Sequence, residues 1–245
     1  MFQRGYLKTV VVVSFSMLAL VLMAGPGYAK DKDLTQRVAD LEAKVAALEA
    51  KLQYMSVQTG TINGLKGPHV IFQNANVHIR SGSGSTSDGC DFDPNCVLSG
   101  LGNLIVGYNE NTAAHLRTGS HNLIVGWDHE FTSYAGYVCG QLNRITAPFS
   151  AVSGGVGNQA TSNSSVVSGG FMNTASGINS VISGGVRNTA SGQQSVVSGG
   201  EFNTASGIES VVSGGSRNTA SGNISVVSGG SNKSTSVQYG YVDGD

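Results

Sequence analysis

The side chains best suited to chemistry sit close together in the middle of the chain. His115, His121, Asp128, His129 and Glu130 lie within one short span. Imidazoles and carboxylates at that density are what a metal centre or an acid–base pair draws on. Their spacing repeats no ligand pattern, so exposed loop residues are the simpler reading. DFDPN (Asp91 to Asn95) alternates oxygen ligands but lacks the glycine and closing glutamate of a calcium loop. Serines abound, yet no GxSxG elbow occurs and no serine is singled out against a histidine and an acid. Carboxylates in the regular part of the chain are Glu201 and Glu209, too few for a repeated acid pair. The expectation is a protein that is not an enzyme, with no catalytic residues, no metal and no cofactor.

What must position these residues is an unusual chain. Of 245 residues, 12% are charged and 35 are glycine, while four are proline. The formal net charge of −1 gives no electrostatic reason to invoke nucleic acid or an anionic membrane. Arg4 and Lys8 precede an apolar run from Val10 to Ala24, and Gly27 and Ala29 are small residues suited to cleavage after Ala29. Residues 1–29 are therefore expected to be a signal peptide. The run is shorter than the ~20 residues that span a bilayer, and an uncleaved anchor is the alternative. No cysteine lies near the cleavage point, so a lipoprotein is not expected, and the mature chain belongs outside the cytoplasm or on the cell surface, with the periplasm also open. Cys90 and Cys96 bracket a short loop that can close as a disulfide in an oxidising space. Cys139 is left over, either buried as a small hydrophobe, the commoner fate, or paired between chains.

Residues 30–56 carry the heptad seam of a coiled coil. Leu34, Val38, Leu41, Val45, Leu48, Leu52 and Met55 alternate spacings of four and three. Valine at a with leucine at d leans toward a dimer. RVADLE (Arg37 to Glu42), however, resembles the signature of short trimeric coils, in which the arginine pairs with the glutamate of a neighbouring chain. KVAALE (Lys44 to Glu49) repeats it with lysine. The trimer is favoured, with Arg37, Val38, Leu41, Glu42, Val45 and Leu48 as trimerisation residues. An amphipathic helix packed on its own domain would show a wider apolar face.

Residues 57–148 read as irregular β rungs with inserted loops. HVIFQNANVHIR (His69 to Arg80) suggests two strands and a tight turn, and SGSGSTSDG (Ser81 to Gly89) a mobile loop. GLGNLIVGYNE (Gly100 to Glu110) is echoed by GSHNLIVGWDHE (Gly119 to Glu130), then by YVCG and AVSGG. Glycines 107, 126, 140 and 154 are matched in this register, which puts Cys139 in the place of Ser153. From Ser150 a phrase S-V-V-S-G-G-x-x-N-T-A-S-G-x-x recurs with period 15, and residues 149–233 are expected to form a β-solenoid. One residue of each Val-Val pair fills the interior while the other meets something outside, such as a second chain. Gly-Gly makes a tight corner. Asn173 and its copies take left-handed turns and form a ladder. Ala175 and its copies make a thin core, with Thr174 and Ser176 facing out. Residues 234–245 are expected to cap one end.

The phrase resembles the head repeats of YadA-like trimeric autotransporter adhesins, whose units read near S-V-A-I-G-x-x-S-x-A-S-G. The likeness covers about residues 100–233. It implies a parallel β-roll with three chains side by side, next to a trimeric coil. The period here is 15 rather than the family's usual 14, and the coil precedes the head rather than following it. The family's C-terminal membrane barrel has no counterpart before Asp245, so the head is not expected to anchor itself.

Mainly β, with a short N-terminal coiled coil and a solenoid of 15-residue repeats, the chain is expected to be an exported, trimeric, adhesin-like structural protein. A host surface or glycan is the expected ligand, and the anchoring partner is unknown. Contacts are assigned to the variable turns, at Phe171, Arg187, Glu201, Phe202 and Arg217. The alternative is an ice-binding or other flat-lattice or carbohydrate-binding solenoid using the Thr174/Ser176, Thr189/Ser191, Thr204/Ser206 and Thr219/Ser221 pairs.

Overall fold

The computed structural model describes residues 32–91, 93, 95–112 and 114–244. The expected signal peptide lies outside the described residues. The chain divides into two compact units, residues 1–77 and 78–245.

In the first unit, α1 spans Lys32–Leu52. Its sequence is rich in alanine, leucine, glutamate and lysine, all strong helix formers. The helix stops short of Met55, which instead opens β1 (Met55–Gln58). β1 pairs antiparallel with β2 (His69–Phe72), Met55 opposite Phe72 and Gln58 opposite His69. Two expectations are corrected here. Met55 is not the last seam residue of a helix, and the partner of His69–Phe72 is β1 rather than Val77–Ile79. The β-branched and aromatic residues of both strands suit a ladder, whereas residues 73–80 form no strand.

The second unit is a parallel β-solenoid of about nine turns. Ten parallel strands stack from Leu104–Val106 to Tyr241–Val242, and eight from Glu130–Phe131 to Ser234–Thr235. In the regular repeats the first sheet takes Val-Val and the second Thr-Ala, as in Val166–Val167 and Thr174–Ala175. Successive rungs pair strictly in register: Val166 lies on Val181, and Thr174 on Thr189. A third column of single bridges joins Gln141, Val156, Phe171, Val186, Glu201, Ser216 and Ser231.

Alternation decides the core. Val167, Ile182, Val197, Val212 and Val227 are fully buried, facing Ala175, Ala190, Ala205 and Ala220. The other valine of each pair, as at Val166 and Val181, points outward and is half-buried. Each rung thus seals a thin slab in which one valine contributes about 1.5–3 kcal/mol. A core this thin depends on its backbone ladders and on polar corners that leave few orphan groups.

A corner column of asparagines supplies much of that satisfaction. Asn143, Asn158, Asn173, Asn188, Asn203 and Asn218 are all buried. The amide of Asn188 donates to Gly184 O in its own rung and Gly200 O in the next, both at 3.0 Å. Its Oδ1 accepts the Asn203 N–H at 2.9 Å. These asparagines are not the left-handed residues. That conformation falls one residue earlier, at Met172, Arg187, Phe202 and Arg217, with φ between 53° and 55°. The second corner carries the glycine column: a Cβ on Gly192 would lie 1.9 Å from Gly207 O.

The rung length falls from 19 residues between Leu104 and Leu123 to 14 between Leu123 and Tyr137, and then changes again. Tyr137 pairs with Ala151, an offset of 14, but Gln141 bridges Val156, an offset of 15. The extra residue is Gly154, around whose Cβ there is open space, whereas a Cβ on Gly140 would meet Gly155 O at 2.4 Å. Gly140 therefore stacks on Gly155, not on Gly154 as the sequence register suggests. Cys139 does follow Val138 on the same strand, one place before that insertion. It lies half-buried beside Tyr137 rather than in the core. The chain from Ser236 onward does more than cap: Tyr241–Val242 pairs with Val226–Val227 and extends the stack.

Candidate functional site

The five contact residues expected from the sequence share one corner of the solenoid. Phe171 and Glu201 belong to the single-bridge column, while Arg187, Phe202 and Arg217 belong to the left-handed column beside it. Both columns are held by backbone alone. Phe171 N–H donates to Gly185 O, and Arg187 N–H reaches back to Phe171 O, each at 2.9 Å. The same pair recurs at Glu201 with Gly215 O (3.0 Å) and at Arg217 with Glu201 O (2.9 Å). No side chain at these positions is needed for the ladder, so their identities are free to vary.

Those side chains nevertheless organise one another. The Arg187 and Arg217 guanidinium carbons lie 5.6 and 5.3 Å from the centroid of the Phe202 ring. Cations at that distance from an aromatic ring are attracted by about 0.5–1 kcal/mol each at an exposed site. Ser216 donates to Glu201 Oε1 at 3.0 Å. Phe171, Met172, Val186 and Phe202 remain 38–47% exposed around this stack. The corner is an apolar strip with two fixed cations and one carboxylate, suited to binding rather than to bond-making.

The histidine and acid cluster has a different character. Asp128, His129 and Glu130 are buried, which overturns their reading as exposed loop residues. Asp128 accepts the Thr112 N–H (3.2 Å) and hydroxyl, and pairs with Arg117 at 3.3 Å. The Thr112 hydroxyl holds the Asp128 carboxyl below its usual value against the opposing effect of burial, helped by the charges of His115 and Arg117. Glu130 lies 3.2 Å from both Arg144 Nε and His115 Nδ1. Burial lowers the His129 pKa, and its ring is fully occupied by Val125 O and Asn143 N–H. No group of three or more histidine, cysteine or acidic residues placed to hold a metal occurs among the described residues.

His121 stands apart from that cluster. Its Nδ1–H donates to Thr86 O (2.8 Å), and its Nε2 accepts the Ser81 N–H (3.0 Å). It thereby ties the Ser81–Gly89 loop down, and Asp88 ties it again. Burial would raise the Asp88 carboxyl, but hydrogen bonds from Ser120, Ser81, Ser99 and Ser83 outweigh it and hold the group well below the usual range. The loop expected to be mobile is a closed turn. Cys90 and Cys96, just beyond it, are joined by a disulfide with Cα atoms 5.4 Å apart.

The residues expected to trimerise, Arg37, Val38, Leu41, Glu42, Val45 and Leu48, lie on α1, with Leu41, Val45 and Leu48 52–59% exposed and Val38 half-buried. No helix among the described residues is long and apolar enough to cross a membrane. No protein-family model matches the chain, and no curated protein matches it significantly.

Proposed function

We propose that the protein is an exported, non-enzymatic, adhesin-like head: a homotrimer joined through its N-terminal coiled coil, presenting a rigid solenoid corner to a surface or glycan ligand. The observation that carries this reading is the division of labour at that corner. Backbone bonds hold the chain, and the side chains of Phe171, Arg187, Glu201, Phe202 and Arg217 are left exposed, with Arg187 and Arg217 ordered over the Phe202 ring. Pre-ordered aromatic and arginine side chains are the usual anchors of a binding surface. The exposed seam of Leu41, Val45 and Leu48 supports a helix that is completed by other copies. The leader-like residues 1–29 and the likeness of the repeat to adhesin heads support export and display.

Light scattering on the purified protein tests the assembly. A mass of three chains is expected, and a monomeric mass would remove the trimer. A glycan array tests the contact surface: ligands captured by the native protein should be lost on Phe202→Ala and weakened on Arg187→Ala. Capture unchanged in both variants would move the binding surface elsewhere.

A second reading rests on the outward face of the Thr-Ala strands. Thr174, Thr189, Thr204 and Thr219 pair in register, half-buried and facing out, with exposed Ser176, Ser191, Ser206 and Ser221 beside them. At ~4.8 Å between rungs this is a regular hydroxyl lattice, suited to ice or a flat carbohydrate. Thermal hysteresis and ice shaping in the purified protein would favour it, and their absence would eliminate the ice-binding form.

A further inference from the structure

A cavity of about 460 Å³ opens where the Ser81–Asp88 loop closes onto the first rungs, lined among others by His78, Arg80, Ser85, Thr86 and His121. Its volume lies in the range of small-ligand sites. It belongs to neither the variable corner nor the threonine face.

The lining is rich in donors. Arg80 donates to His78 Nδ1 at 3.2 Å. Because a guanidinium only donates, His78 accepts there and carries its proton on Nε2. Among the described residues Arg80 makes no ion pair with a carboxylate. Gly82 and Gly84 adopt φ of 94° and 92°, and neither N–H donates within the described protein. Although the intervening Ser83 N–H donates to Ser81 Oγ at 3.2 Å, an unpartnered backbone N–H in a turn can donate to an anion.

The nearby carboxylate of Asp88 is spoken for. The Asp88 side chain is 3% exposed. Its two oxygens accept the Ser81 hydroxyl at 2.6 Å and the Ser99 hydroxyl and N–H at 2.6 and 2.9 Å. Asp88 therefore acts as a buried staple for the loop. The hydrogen bonds that join His121 to Thr86 and Ser81 hold the same loop. Such a site is organised before any ligand arrives, which lowers the ordering cost of binding.

We propose that this cavity binds an oxyanion carried on a sugar-sized body, a sulfate or phosphate ester, with Arg80 as the principal charged contact and the Gly82 and Gly84 amides as further donors. A guanidinium offers paired donors that match sulfate and phosphate oxygens.

Calorimetry on the purified protein tests this with N-acetylglucosamine 6-sulfate, its 6-phosphate, the unmodified sugar and inorganic sulfate. The esters are expected to bind at least tenfold more tightly than the unmodified sugar, and to weaken as salt is added. Arg80→Ala should weaken the esters about tenfold with the melting temperature unchanged, because it removes a charge-assisted bond from an exposed side chain. Arg217→Ala should leave ester binding unchanged, separating this site from the variable corner. Inorganic sulfate binding as tightly as the esters would support the oxyanion site and identify the free ion as sufficient. Failure of every charged probe to bind, or equal binding by native protein and Arg80→Ala, would overturn the proposal.

Discussion

His129 Nδ1 accepts the N–H of Asn143 at 3.2 Å, in the place where every later rung offers an asparagine oxygen. The substitution is functional on both sides of the ring. His129 Nε2–H donates to Val125 O, four residues back, as Asn143 Nδ2 donates to Cys139 O. Its own N–H donates to Asn109 Oδ1 at 2.8 Å. The buried imidazole is thus an uncharged rung of the asparagine ladder, in the tautomer with its proton on Nε2.

That role makes stability depend on pH. Burial lowers the folded pKa of His129 below its ordinary value of 6.5. The unfolded chain then takes up a proton that the folded chain refuses. The contribution is complete above about pH 6.5 and is lost as pH falls from there through the lowered folded value. Protonated Nδ1 would also face the Asn143 N–H donor to donor. His129→Asn, which restores the ladder chemistry, should keep the fold and flatten the fall in melting temperature between pH 7 and 5. His129→Leu should be destabilised at every pH, by about 1–3 kcal/mol for the orphaned N–H. Melting curves of the three proteins across that range decide it, and an unchanged pH profile in His129→Asn would remove His129 as the cause.

The ladder itself can be tested with one atom. In Asn188→Asp the carboxylate still accepts the Asn203 N–H, but it faces the Gly184 and Gly200 carbonyls that the amide served. Three acceptors then converge in a buried corner. We expect destabilisation of about 3 kcal/mol or more near pH 7, read by chemical denaturation. The loss should shrink at low pH, where a protonated carboxyl can donate again. Equal stability of variant and native protein would mean that the ladder carries little of the fold.

Parts of this architecture are legible in the amino-acid order, for physical reasons. Val167 and Ala175 recur with the period that a stacked rung imposes, so the two sheets and their core can be read directly. Phe171, Arg187, Glu201, Phe202 and Arg217 stand out because only unconstrained corners vary. The left-handed column is hidden, since Met172, Arg187 and Phe202 are not residues that advertise positive φ. His129 is hidden because its equivalence to asparagine depends on rung geometry rather than residue type. The cavity lined by Arg80 is illegible because His121, forty residues from Ser81, closes it.

Neighbouring glycines in one corner should respond in opposite ways. A Cβ added to Gly184 would meet open space, while a Cβ on Gly185 would lie 2.2 Å from Gly200 O, at a φ of 90°. Gly184→Ala should fold with a melting temperature close to that of the native protein. Gly185→Ala must push the next rung away and adopt an unfavourable backbone, and should lose several kcal/mol or fail to fold. Thermal denaturation of the pair checks this within a single repeat. Similar losses in both would contradict the stacked glycine column.

The last contrast concerns the second left-handed column, which runs through Ser164, Asn179, Gln194, Glu209, Ile224 and Tyr239. Ile224 is the β-branched member, at φ 56°, where branching at Cβ is least tolerated. It is also 40% exposed, so little burial compensates for the strain. Its N–H still donates to Ile208 O at 2.7 Å, which any residue can do. Asparagine occupies the equivalent place at Asn179 and tolerates this conformation. Ile224→Asn should therefore raise stability by about 1 kcal/mol, seen as a higher denaturation midpoint with an unchanged slope. Asn179→Ile should show the reverse. If both exchanges left the midpoint where it was, the positive φ of this column would not be a source of strain.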